Sequence, residues 1–504
     1  MALAVLCLAP LPVPAVELEA NSLGDAVDAD PNDGLCDADP NTANPEDPEN
    51  PGQLVGQCTL RAAVQVANAL PGPDTIRLRP ARYTLSLVGA GEDAAAAGDL
   101  DVTSDLTILG EGYPASLLDG KRLEDRIFDV HPAGVLTLSG TSLLSGRTAK
   151  GDADPGSPAG EVSGGCLRSA GATDLDEVYF FRCASSEDGG CMSVIDGAAT
   201  VSDSVFAVCR AKDEGGALEV AEGGSAALSR VTAATGRAAT GGGIAVRGAL
   251  MLRNGTLTLN KAKLGGAVAV LGGGSAALAN STVSSNGKSN LASQTTGLVT
   301  VSSSIVWGAK ADCVGPVASG GGNLEGATSC AFTATNDQQS QDPGLSALAF
   351  GGDTIPTQAL AAGSPAIDHG LDVGDVCLDE GDARGRRRVQ SVGGGAAIVD
   401  AGAFERDGAS PATLVITSSP VESATVAVAY GYDVEATNAG RESCALAFSL
   451  DQAPGGMTIA PASGLIAWTP DQVGSFDVEV RVTDSGGLSN TQRFTIAVSA
   501  AAAP

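Results

Sequence analysis

Gly215-Gly216-Ala217-Leu218-Glu219-Val220, followed by Ser225-Ala226-Ala227-Leu228 and Ser229-Arg230-Val231-Thr232, is one unit of the pattern that decides the fold. Each piece is a short run in which small or aliphatic residues alternate with polar ones, the period of a strand rather than of a helix face. With its opening pair counted, diglycines stand at Gly164-Gly165, Gly189-Gly190, Gly215-Gly216, Gly242-Gly243 and Gly265-Gly266, at intervals of 25, 26, 27 and 23 residues. Such a period is too long for a hairpin and too short for a domain. It fits one coil of a solenoid whose turns bury their apolar faces against their neighbours. The expected fold is all-β: a parallel β-helix of about three strands per coil, right-handed by the rule for parallel crossovers.

Composition agrees. Aromatics make up 3% of the 504 residues while glycines number 67, which argues against a large globular interior built on Phe and Trp and favours one of stacked Val, Leu, Ile and Ala. The net charge of −30, from 29 basic and 59 acidic residues, argues against a nucleic-acid partner, which requires clustered Lys and Arg. The one basic run, Arg384 to Arg388, is short and set among acids.

Residues 1–15 read as a truncated signal peptide: an apolar run with Val13 and Ala15 at a small-residue cleavage pattern, though no Lys or Arg precedes it. No other stretch reaches the ~18 apolar residues of a membrane helix. Secretion or a cell-surface location is expected, with export by a separate system. Residues 16–90 form an N-terminal cap, acidic and aperiodic up to Pro51. Within it Leu60, Ala63, Val64 and Ala67 fall on one helical face, with Thr59 as N-cap and Pro71-Gly72 as the stop. This short amphipathic helix is expected to cover the open end of the strands, which begin at Thr75-Ile76-Arg77-Leu78. Coils occupy 91–310 and a closing cap 311–406. From 410 to 500 the alternation is that of antiparallel strands, as in Ser475-Phe476-Asp477-Val478-Glu479-Val480-Arg481-Val482, and predicts a small β-sandwich. A monomeric rod follows from this plan.

The cysteines fit an oxidising compartment. Cys36 and Cys58 bracket one loop, and Cys313 and Cys330 another. Cys166 and Cys191 each follow a diglycine, one coil apart; Cys183 and Cys209 each precede one by six residues, again one coil apart. The repeat stacks like on like. Inward-facing free thiols and bridges along each stack are equally compatible with strands ~4.8 Å apart.

Several segments resemble known families. Asp25-Ala26-Val27-Asp28-Ala29-Asp30 with Cys58-Thr59-Leu60-Arg61-Ala62-Ala63 resembles the CSLREA domain that precedes bacterial β-helix proteins, with Thr59 for the family's Ser and Ala62 for its Glu. Gly98-Asp99-Leu100-Asp101-Val102 is similar to the coil that follows that domain. Gly363-Ser364-Pro365-Ala366-Ile367-Asp368, Asp382-Ala383-Arg384-Gly385 and Asp400-Ala401-Gly402-Ala403-Phe404-Glu405 resemble the choice-of-anchor Q domain. Ser463-Gly464-Leu465-Ile466-Ala467-Trp468 and Val482-Thr483-Asp484-Ser485-Gly486-Gly487 resemble the Ig-like, cadherin-related module of bacterial surface proteins. That resemblance implies Ca²⁺ in members with acids after an Ala-Thr pair; here the place reads Asn438-Ala439-Gly440-Arg441. The diglycine coils, with Asn260 and Asn286 at comparable places, resemble polymorphic outer-membrane-protein repeats. Together these imply a secreted or surface β-helix protein.

No catalytic constellation is legible. The two histidines, His131 and His369, sit at turns without a Ser or Cys nucleophile at a workable spacing, and the glycine-rich stretches open strands rather than helices. A cation site is the one candidate for small-scale chemistry. Asp28, Asp30, Asn32, Asp33, Asp37 and Asp39 offer side-chain oxygens around Gly34, as a Ca²⁺ loop requires, although the glycine falls one place late for an EF-hand. The expected function is non-catalytic adhesion or binding of glycans, other surface proteins or the envelope. The alternative is a carbohydrate-active enzyme, a polysaccharide lyase or hydrolase, on the same scaffold.

Overall fold

The diglycine coils stack in register. The structure is a computed structural model; it describes residues 15–38, 57–89, 91–148, 162–294, 296–371, 381–386, 388, 390–391, 398–406, 410–411, 413–439, 445–485 and 488–501. Two compact units are present: residues up to Ala366 with Ala401–Phe404, and Ile367–Asp400 with Glu405 onward. Among the described residues the first unit holds three long parallel sheets, of eleven, nine and ten strands. Each coil gives one strand to each sheet, as Leu218–Val220, Ser225–Ser229 and Thr232–Ala234 do. This is a parallel β-helix.

Strand alternation makes the core. In the first sheet Leu175, Val201, Leu228, Leu252, Leu278 and Val301 are register partners in successive coils and are all buried. Each fully buried aliphatic side chain in such a column contributes about 1.5–3 kcal/mol of transfer free energy. Polar columns run beside the apolar ones at the turns. The Asn260 and Asn286 backbone N–H groups donate to the Asn286 and Asn290 side-chain oxygens at 3.0 and 3.2 Å, so buried amides satisfy one coil's backbone from the next.

The helix spans Leu60–Ala69, capped by Thr59, whose hydroxyl accepts from the Ala62 N–H at 3.0 Å. Leu60, Ala63, Val64 and Ala67 pack into the core cluster that contains Ile76 and Leu100, so the helix seals the first coils as its pattern predicts. The coils start earlier than that pattern suggests. Glu17–Ala20 is already the outermost strand of the first sheet, paired with Thr75–Leu78. Four residues are too few for alternation to show.

The coil register also differs from the sequence reading at one place. In the Gly241-Gly242-Gly243 run the structural pair is Gly241-Gly242. Gly241 carries the positive φ of +61° found at Gly164, Gly189, Gly215 and Gly265, and the intervals become 25, 26, 26 and 24. Three glycines in a row leave the pattern no means of choosing.

Cys166 and Cys191 are coil neighbours, the first donating its N–H to the carbonyl of the second at 2.9 Å. The bridges, however, are Cys166–Cys183 and Cys191–Cys209, within each coil, together with Cys36–Cys58 and Cys313–Cys330. Neither free thiols nor bridges along a stack are formed. The two stacks face each other across the coil, with Cα separations of 5.5 and 5.3 Å, and do not lie on separate faces.

In the second unit Gly474–Asp484 and Ser489–Ser499 pair antiparallel within a four-stranded sheet, and Tyr430–Asp433, Leu465–Trp468 and Thr458–Ile459 form another. Trp468, Tyr432, Ile466, Val480 and Phe494 are buried between them. This is the predicted sandwich.

Candidate functional site

The strand Tyr179–Phe181 of the third sheet carries three consecutive aromatics in a chain that has few. Alternation turns Phe180 inward, where it is fully buried and stacks on Phe206 of the next coil at 4.6 Å, and so turns Tyr179 and Phe181 outward. Tyr113, on the turn between Asp105–Leu109 and Leu117–Asp119, lies flat on Tyr179 with ring centroids 4.4 Å apart and planes at 17°. Tyr113 is 55% exposed. Phe181 continues the row 6.2 Å from Tyr179, and the Arg182 guanidinium sits 5.0 Å above the Phe181 ring centre.

The row leads to a depression of about 690 Å³ lined by Gly120, Lys121, Glu124, Ser145, Arg147, Arg182 and Ala184. All lie on the turns that leave the third sheet in three successive coils. Its size is that of a small-ligand site. Lys121, Arg147 and Arg182 are exposed, and none of them forms an ion pair among the described residues, whereas Arg230 and Arg247 are held by Asp203 and Glu214. In a chain of net charge −30 this is a local reversal of sign. Sequence reasoning missed it because Lys121, Arg147 and Arg182 are far apart along the chain; the run Tyr179-Phe180-Phe181 was the available signal.

In the candidate Ca²⁺ loop the described carboxylates accept hydrogen bonds from nearby backbone. The Asp28 carboxylate accepts from the Asp30 and Asp37 N–H groups, Asp30 from Asn32, and Asp33 from Leu35, so these oxygens make turns with their own backbone. Burial, with Asp37 and Asp33 nearby, raises the Asp28 pKa against those hydrogen bonds. Asp39 lies outside the described residues. In the sandwich the Asn438 side chain donates to the Asp484 carboxylate at 3.0 Å.

A different group brings three potential ligands together: the ligand atoms of Asp93, Asp101 and His131 lie within 4.8 Å of one another. One imidazole and two carboxylates suit a transition-metal ion better than Ca²⁺, which takes six to eight oxygens. In the structure His131 Nε2 is hydrogen-bonded to the buried Asp101 Oδ1 at 2.9 Å, and Asp101 Oδ2 accepts the Ala95 N–H. The Asp101 hydrogen bond raises the His131 pKa, against partial burial. A histidine with a raised folded pKa contributes stability that is complete below its ordinary value of about 6.5 and lost as pH rises through the folded value. Wild-type melting temperature is therefore expected to fall from pH 6 to pH 8 relative to His131→Asn. Parallel profiles of the two proteins would exclude this role.

Two further charged clusters are structural. Arg126 is fully buried with Asp99 and Asp129 at 3.2 and 3.1 Å, inaccessible to a substrate. In the second unit Asp382 binds Arg384 through Nε and Nη2 and accepts the Glu405 N–H, while Glu405 Oε2 accepts the Asp400 N–H. Burial pushes Asp400 up to about 6 and Glu405 up to about 10.

Residues 412–499 match the Putative Ig domain family (He_PIG), so the C-terminal sandwich is an Ig-like module. No curated protein matches the chain. Among solved structures, a putative alpha-galactosidase from Bacteroides fragilis is similar over 17% of this chain and 17% of its own, at 13% identity and a TM-score of 0.15. An endo-fucoidan hydrolase of glycoside hydrolase family 107 is similar over 18% of this chain and 14% of its own, at 22% identity and a TM-score of 0.15. The chain thus spans less than a fifth of the length of either. Among the described residues no helix is long and apolar enough to cross a membrane.

Proposed function

We propose that this is a secreted or cell-surface β-helix protein that binds glycans without cleaving them. The stack of exposed Tyr113 on half-buried Tyr179, beside a cation-lined depression, is the observation that carries this reading. A pyranose ring presents an apolar C–H face that stacks on the negative face of an aromatic ring, while its hydroxyls need polar neighbours. The flank supplies both. The four disulfides among the described residues support an oxidising, extracytoplasmic setting. The resemblances to CSLREA and choice-of-anchor Q proteins support the same location.

Binding is favoured over hydrolysis because, among the described residues, Glu124 is the one carboxylate lining the depression, whereas glycoside hydrolysis ordinarily uses two flanking the scissile bond. On a glycan array the intact protein is expected to retain a subset of glycans unchanged. Tyr179→Ala is expected to weaken that binding roughly tenfold, the worth of a good aromatic stack. Retention undiminished by Tyr179→Ala and Tyr113→Ala would remove this site. Release of shortened or unsaturated sugars would replace the binding reading with the enzymatic one.

A further inference from the structure

We propose that the flank beside the aromatic row binds a linear acidic polysaccharide laid along the stack of coils, its carboxylates or sulfates read by a ladder of basic side chains. This rests on the glycan-binding reading and specifies the class of glycan. Arg210, Arg237 and Lys261 are direct parallel register partners in three successive coils. Arg147 occupies the same position two coils before Arg210, with Ala184 between them. All four basic residues are exposed, and successive members are 24 to 63 residues apart in the chain.

Register partners in adjacent parallel strands stand about 4.8 Å apart, so this arrangement stacks like charges at a spacing that is unfavourable by itself. Among the described residues no acid neutralises them. None of the four forms an ion pair among the described residues. The acids of the same turns are engaged elsewhere: Asp213 with Lys212, Glu214 with Arg247, Glu187 with the Val162 N–H and Asp188 with the Glu214 N–H. A bound polyanion would supply the missing counter-charge.

Spacing and continuity select the polyanion. One cation per coil matches one charge per sugar in a uronate chain, whose repeat is close to the rise of a coil. A nucleic-acid strand carries a charge every ~3.4 Å and would be repelled by the rest of a strongly acidic surface. At Ala184 the short side chain opens the ladder into the depression bounded by Arg147, Arg182 and Lys121, which leads to Phe181, Tyr179 and Tyr113. A polysaccharide following the ladder therefore reaches rings on which its sugars can stack.

The test is titration calorimetry of the full chain with polygalacturonate, a neutral glucan and single-stranded DNA, at low and at 0.5 M salt. Polygalacturonate is expected to bind at low salt and to be released at high salt. Arg210→Gln/Arg237→Gln/Lys261→Gln is expected to weaken it roughly tenfold or more. The melting temperature of that variant should not fall, because the side chains are exposed and their mutual repulsion is relieved; each single substitution should show a smaller loss in the same direction. Polygalacturonate binding unchanged in the triple variant would overturn the proposal, as would tighter binding of DNA. Equal binding of the neutral glucan would overturn it while leaving glycan binding intact, and failure of the intact protein to retain any glycan on an array would remove the glycan reading itself.

Discussion

Arg61→Met is expected to destabilise the N-terminal coils by about 3–5 kcal/mol, the cost of leaving a buried charge without its partner. Arg61 and Asp25 are both fully buried, with Nε 2.7 Å from Oδ1. The guanidinium also donates to the carbonyls of Ala95, Gly98 and Asp99, at 3.1, 2.7 and 3.1 Å, while Asp25 accepts from the Ser86 and Leu87 N–H groups. The buried pair thus ties the helix to two separate stretches of backbone, 95–99 through Arg61 and 86–87 through Asp25. Denaturant unfolding followed by protection of the first coils should show the loss, and Asp25→Asn/Arg61→Met should recover part of it by removing the orphaned carboxylate. Arg77→Met provides the contrast. Its partner Glu17 is exposed, as Arg77 is, so solvent screens the pair and its loss is expected to leave stability essentially unchanged. Equal effects at Arg61 and Arg77 would show that the buried cluster does not hold the cap.

The same residues show what a single sequence reveals. Cys58-Thr59-Leu60-Arg61 is legible as the start of a helix because cap and apolar spacing are local signals. In the folded chain Cys58 closes a disulfide, Thr59 caps the helix, Leu60 enters the core and Arg61 forms the buried ion pair. The coil period is legible for the same reason, since every diglycine repeats a backbone requirement. Contacts across a coil are not. Periodicity says that Cys166 lies beside Cys191 and Cys183 beside Cys209, but not that the two columns meet. The basic ladder lies between these cases. Arg210, Arg237 and Lys261 stand five, four and four residues before successive structural diglycines, so the signal exists in the sequence. It is missed when charge is sought as a contiguous run, such as Arg384 to Arg388, rather than at the coil interval. The aromatic row needs more, because Tyr113 comes from a turn whose path no pattern specifies.

Gly216→Ala is expected to prevent the coils from closing in register, with a loss of stability at or beyond the roughly 1–3 kcal/mol typical of overpacking. A Cβ at Gly216 would lie 2.1 Å from the Gly242 carbonyl oxygen and 2.5 Å from the Arg237 nitrogen. Both are backbone atoms, so no rotamer change relieves the overlap. The equivalent glycines have the same neighbours one coil on: Gly190 against Gly216 and Arg210, and Gly242 against Gly266 and Lys261. The second glycine of each pair is therefore what lets the ladder residue of the following coil approach closely, and the basic spacing depends on it. Gly273→Ala is the control, since nothing lies within 4 Å of a Cβ there and its φ is not in the left-handed region. Thermal melts should show Gly273→Ala near wild type and Gly216→Ala far below it. Any Gly216→Ala protein that folds should also bind polygalacturonate more weakly, because the altered contact displaces Arg237 from its neighbours. A Gly216→Ala protein with wild-type melting and binding would mean that the close approach of these coils determines neither the fold nor the alignment of its charges.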